Sequence, residues 1–209
     1  MSGVEDLITE GRAAILTMEL QRGVVGDLAS IRGLADIVDA VGLPKRVGEV
    51  LSAGRAANVP VIHCRAAFRR DRAGSFSNIP MVNRLLENPD YMEIGTPAVD
   101  LIPELGPEPG DLDSVRLHGM SPFHGTDLDS KLRSLKIETI VVTGVSLNVG
   151  IQGVVIEALN HGYNVVLVTD CVTGYPEEYA AMVLTHSLAR ITTQTTAAEL
   201  LEIWSSAKN

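Results

Sequence analysis

Two hydrophobic rhythms alternate along this chain. Six short runs read as strands: Ala13 to Glu19, Pro60 to Cys64, Ser114 to Leu117, Glu138 to Val142, Asn164 to Thr169 and Arg190 to Thr193. Thr139 to Val142 are β-branched almost without a break, which predicts a strand covered on both faces, as inside a parallel sheet. Between these runs, apolar residues recur at helical spacing. The pattern is weak from Leu34 to Val41 and better from Pro44 to Asn58, where Val47, Val50, Leu51 and Ala57 form the inner side and Lys45, Arg46 and Glu49 the outer. Thr126 to Leu135 reads as a helix capped by Thr126 or Asp127, and Glu177 to Leu188 as a helix after Pro176. Thr196 and Glu199 form a capping box for a last helix reaching Trp204.

Strand and helix in alternation predict an α/β fold, an open parallel sheet with helices on both faces, because parallel neighbours need crossovers and the crossovers are right-handed. Ligands then bind beyond the carboxyl ends of the strands. The stretch from residue 66 to 112 is long and irregular, rich in Arg, Pro, Asp and Gly, and is expected to cover a pocket or an oligomer contact.

The segment ETIVVTGVSLNVGIQGVVIEALN, Glu138 to Asn160, organises the rest. It is a strand, a turn at Thr143 and Gly144, and a helix with Val149, Gly153, Ile156, Ala158 and Leu159 on the inner side. The first-turn amides of such a helix are unpaired and its dipole is positive at the turn, so an anion or a developing oxyanion fits there. Gly144 permits a sharp turn and Gly150 removes a side chain where a ligand approaches. Tight helix–sheet packing explains the same glycines equally well.

Composition narrows the picture. With 209 residues and 45% hydrophobic side chains the chain, 1–209, suits one domain with a sizeable core. A net charge of −9 argues against nucleic acid or an anionic membrane as partner. No apolar run approaches the ~20 residues that span a bilayer, and the acidic start MSGVEDLITEG is unlike a signal peptide, so a cytoplasmic location is expected. Cys64 and Cys171 stand far apart and suggest neither disulfide nor zinc.

The strand ending in TGV, the polar turn with Asn148 and the helix behind it resemble the nucleophile turn of the isochorismatase-like cysteine hydrolases. AAILTMELQ, Ala13 to Gln21, is similar to that family's first strand, and SPFHGTDL, Ser121 to Leu128, to its segment before the third helix. The resemblance covers nearly the whole chain. It implies a three-layer αβα, Rossmann-like sheet of about six strands in the order 3-2-1-4-5-6, and a cis peptide between Val145 and Ser146. It also implies a homo-oligomer, a small-molecule substrate and no cofactor.

The family's amidases use an Asp at the end of strand one, a Lys after strand three and a Cys at the central helix. Here those positions carry Glu19, Leu117 and Gly150. Glycine is no nucleophile, so covalent cysteine catalysis is excluded. True isochorismatases resemble this chain in having glycine there, and they protonate a vinyl ether instead. That chemistry needs a carboxylic acid held protonated, and Glu19 is the expected general acid, with Arg116 or Arg65 standing in for the lost lysine. His118 and Gly150 complete the expected catalytic set. Gln21, His63, Arg65, Leu117, Phe123, Val145, Ser146 and Asn148 are expected to bind a small polar substrate. Each has a plainer reading: Glu19 paired with Arg65, the histidines as local hydrogen-bonding groups, Ser146 and Asn148 as helix caps, Phe123 as a core aromatic. His63, His118 and His124 have no carboxylate at ligand spacing, so no metal is expected. Two readings remain open, a hydrolase with Glu19 as acid, and a pseudoenzyme that binds a ligand or a protein partner without turnover.

Overall fold

The computed structural model describes residues 3–8 and 12–206. Residues 1–2 and 9–11 of the acidic start, and 207–209, lie outside them.

Strand β1 (Ala13–Met18) is buried at every position, as its unbroken apolar composition requires of a strand covered on both faces. It pairs in parallel with β2 (Val61–Ala66) on one side and β4 (Thr139–Val145) on the other. Beyond β2 lies β3 (Leu112–Arg116) at one edge, and beyond β4 lie β5 (Asn164–Thr173) and β6 (Thr193–Thr195). The order is β3-β2-β1-β4-β5-β6, all parallel, as the resemblance implied.

The helices are α1 (Val4–Ile8), α2 (Arg32–Ala40), α3 (Leu43–Ala56), α4 (Pro80–Leu85), α5 (Leu128–Ser134), α6 (Gly150–Asn160), α7 (Glu177–Met182) and α8 (Ala197–Ser206). Side chains alternate across the strands. Ala13, Ile15, Val61, Val141 and Val166 share a core with residues of α2, α3 and α8, including Trp204. Ala14, Leu16, Met18, Ile62, Ile140 and Val142 share the opposite core with α5, α6 and Tyr163. A third cluster of Phe68, Val82 and Met92 ties down the segment after β2.

Several boundaries differ from the sequence reading, each for a local reason. β1 ends one residue early because Glu19 takes a left-handed backbone, φ 52°. β4 runs on through Thr143 and Gly144, which stay paired with Thr17 and Met18 of β1. β5 also runs longer, with a register shift against β4 between Val142 and Gly144. The expected sixth strand, Arg190 to Thr193, overlaps the end of a tight turn, Leu188–Arg190, and pairing begins only at Thr193. On α6 the buried stripe is Ile151, Val154, Val155 and Ala158, leaving Ile156 exposed. The capping box of α8 is present: the Thr196 amide donates to Glu199 Oε2 at 3.0 Å and the Glu199 amide to Thr196 Oγ1 at 3.3 Å. No described helix is long and apolar enough to cross a membrane.

Gly144 shows how tightly β4 lies on β1. Its φ is +107°, and a Cβ there would stand 2.3 Å from the Met18 carbonyl oxygen. Only glycine fits.

Candidate active site

The carboxyl ends of β1 to β5 enclose a cavity of about 280 Å³. This is where an open parallel sheet gathers its loops. Glu19 follows β1, Ala66 and Phe68 come from the end of β2, Arg116 ends β3, and Ser146, Asn148 and Gly150 form the β4–α6 turn. Val24, Ile31 and Leu34 close one side. Met81, Val82, Leu85 and Tyr91 from the segment after β2 form the cover, so the irregular stretch does wall a pocket.

At its polar end sits an ion pair between Glu19 and Arg116, in contact through Oε1 and Nη2. Arg116 is 5% exposed. Its Nε donates to the Gly119 carbonyl at 2.9 Å, while Nη1 is buried and meets no protein acceptor. Burial pulls the Arg116 ionisation down to about 10, still well above neutrality, so the guanidinium is charged at pH 7. Glu19 reaches it because its left-handed backbone turns the chain at the end of β1, with the amide held by the Cys64 carbonyl at 2.9 Å. Left-handed non-glycine residues are uncommon and cluster where a site requires them.

This pairing revises the expected chemistry. A guanidinium in contact favours the ionised carboxylate over the protonated acid that the expected chemistry needs. The cation beside Glu19 is Arg116, one residue before the position expected for the lysine. Leu117 does not line the cavity and lies against Gly74 instead. Arg65 pairs with Asp113 at 2.8 Å, not with Glu19.

The turn is as the resemblance implied, including the cis peptide between Val145 and Ser146. Ser146 donates its hydroxyl proton to the Asn148 side-chain carbonyl, and Asn148 Nδ2 donates to the Tyr175 carbonyl at 2.9 Å. Both line the cavity, but their mutual bond leaves the Ser146 hydroxyl without a base to activate it. Gly150 opens α6 beside them, where the first helical amides lack intrahelical partners.

His118 lines the cavity as expected, its Nδ1 accepting the Phe76 amide at 3.2 Å. Five other expected residues, all in the binding set, do not. His63 and Arg65 fall on the odd positions of β2 and face α3. There His63, 2% exposed, bonds Thr17 Oγ1 at 2.8 Å and Asp111 Oδ2 at 3.1 Å. Burial pulls the imidazole below its ordinary value, against the opposing pull of Asp111. Gln21 is wholly buried and stitches backbone, donating to the Ala66 and Val99 carbonyls, both at 2.9 Å, and accepting the Ala66 amide at 2.8 Å. Phe123 is a core aromatic, its ring 5.0 Å from His161 and 6.0 Å from Tyr163. Val145 is likewise core.

Arg116 was expected only as one of two stand-in cations, and most of the apolar wall was not expected at all. A usable signal existed on β3. On this edge strand Ser114 and Arg116 point inward while Val115 is 36% exposed, so polarity is inverted. A buried arginine at a strand's carboxyl end marks a site.

Among the described residues, no three His, Cys, Asp or Glu side chains gather as a metal ion would need. Cys64 and Cys171 are buried, and burial pushes each thiol up to about 12.

A family model, the isochorismatase domain, matches residues 13–199. YwoC, an uncharacterized isochorismatase family protein of Bacillus subtilis, is 34% identical over 103 residues, covering 49% of this chain and 54% of YwoC. The ureidoacrylate amidohydrolase RutB of Rhizobium rhizogenes is 26% identical over 173 residues, covering 78% of this chain and 70% of RutB. Among solved structures, a cysteine hydrolase from Pseudomonas syringae pv. phaseolicola aligns with a TM-score of 0.76 at 27% identity, covering 94% of this chain and 93% of that one.

Proposed function

Because this chain belongs to the isochorismatase family, we propose that it is a hydrolase that splits a small acyl compound, an amide in the first instance, without a covalent enzyme intermediate. The observation behind this reading is the Glu19–Arg116 pair on the wall of a cavity that also holds Gly150. The similarity to RutB, an amidohydrolase by name, supports the amide.

In this scheme Glu19 meets the substrate as a carboxylate. It takes a proton from water as the water oxygen adds to the carbonyl carbon. The resulting oxyanion is stabilised by the positive charge of Arg116 and by the Gly150 amide at the start of α6, both on the cavity wall. The proton on Glu19 then passes to the leaving nitrogen as the carbon–nitrogen bond breaks. Glu19 is thus the general acid of the second step. The products are a carboxylic acid and an amine.

The test is turnover of a panel of amides and N-carbamoyl compounds by wild type and Glu19→Gln. The expected result is a loss on the order of 10²- to 10⁴-fold in the variant, with an unchanged circular dichroism spectrum. Equal turnover in the two proteins sinks the scheme. So does a wild type that binds amides and hydrolyses none, which points to a ligand-binding protein.

A further inference from the structure

The cavity is charge-balanced before any ligand enters. Of its lining residues, Glu19 and Arg116 are the two that carry opposite formal charges, and they are spent on each other. The imidazole on the wall, His118, is engaged at Nδ1 by the Phe76 amide. The remaining surface is dominated by side chains such as Val24, Ile31, Leu34, Phe68, Val82 and Leu85. These belong to four separate stretches of chain, so the apolar wall is a property of the cavity and not of one helix.

From this balance we infer that the substrate is an uncharged acyl compound with an apolar body, such as a medium-chain or aryl amide, rather than an anionic metabolite. This rests on the hydrolytic reading of the same site and names its substrate class. A charged body would sit unpaired against hydrocarbon, which is costly. An anionic head would compete with Glu19 for Arg116, leaving one carboxylate buried without a partner. A neutral carbonyl oxygen has neither difficulty. It carries no charge to compete for Arg116 and leaves the ion pair intact. The alkyl or aryl body then displaces water from the wall.

The test reads binding alone, by calorimetry at pH 7 on the wild-type protein. Butyramide, hexanamide and octanamide form the apolar series. Glutaramate and 5-aminopentanamide are the anionic and cationic controls of similar length to hexanamide. Kd is expected to fall about fourfold per added methylene. Both controls are expected to bind at least about tenfold more weakly than hexanamide. A series flat in chain length, a control that equals hexanamide, or no binding by any amide overturns the inference.

Leu85, partly buried on α4, provides the second arm. In Leu85→Lys the new cation is expected to reverse the preference between hexanamide and glutaramate. An unchanged ratio overturns the proposal. These readouts are independent of catalysis. A chain-length series that holds while Glu19→Gln keeps full turnover removes the mechanism and leaves the substrate class. A flat series with Glu19-dependent turnover does the reverse.

Discussion

Glu19 and Arg116 touch across the end of β2, although β1 and β3, which carry them, are not neighbours in the sheet. The ion pair therefore ties three strand ends together at the mouth of the site. Removing one partner leaves the other charge largely buried. Arg116→Met is expected to lower unfolding free energy by about 3 kcal/mol. The double variant Glu19→Gln/Arg116→Met should recover part of that loss, because no charge is then stranded. Urea unfolding of the three proteins measures both effects. A double variant less stable than Arg116→Met contradicts this account.

Gln21 makes three hydrogen bonds to backbone at full burial. Gln21→Ala removes the side-chain partner of the Ala66 amide and carbonyl and leaves the Val99 carbonyl with the longer bond from Arg65 Nη1 at 3.4 Å. A loss of about 3 kcal/mol is expected, read as a shifted urea midpoint with an unchanged slope. A midpoint equal to that of wild type contradicts the structural role given to this residue.

His63 confers a pH dependence whose sign is fixed by burial. The unfolded chain protonates this ring near 6.5, the folded chain only at lower pH. Protons therefore favour the unfolded state. The His63 contribution is complete above pH 6.5 and is lost as pH falls toward the folded value. The groups facing the ring are Thr17, Asp111, Asp113 and Arg55. Asp111 acts in a separate, more acid window. Burial raises its carboxyl, but the hydrogen bonds from Arg55, the Glu108 amide and His63 outweigh that and hold it below 3.8. Melting temperatures measured from pH 8 to 5 should fall for wild type and fall less for His63→Gln. Parallel curves would remove His63 as the cause.

Gly144→Ala places a methyl group into the Met18 backbone at a positive φ. Neither strand can retreat, since each is held on its other side by a neighbour. A cost of about 3 kcal/mol or more is expected, with a poor yield of folded protein. A variant that melts within a degree or two of wild type shows that β4 has room that the structure denies it.

The centre of the sheet was readable from the sequence because β1 and β4 are buried on both faces, and runs such as Thr139 to Val142 have few other conformations open to them. Glu19 was readable as a strand-end carboxylate, and Ser146, Asn148 and Gly150 as a turn that lines the cavity. What escaped was orientation. His63 and Arg65 sit beside the right strand end but on positions that face α3. Leu117 and Arg116 differ by one residue, which on a strand is the difference between opposite faces. The apolar wall escaped for another reason. Leu34, Phe68 and Leu85 are ordinary hydrophobic residues in sequence, and only their convergence in space makes them a surface for a ligand.

The two thiols have a consequence for when this protein can work. Cys64 and Cys171 are shut inside the sheet and stay protonated far above physiological pH. A reaction that depends on a thiolate halts when peroxide or an alkylating agent consumes it. In the mechanism proposed above no such group takes part, so hydrolysis through Glu19 and Arg116 is expected to persist under oxidative conditions that silence a cysteine nucleophile.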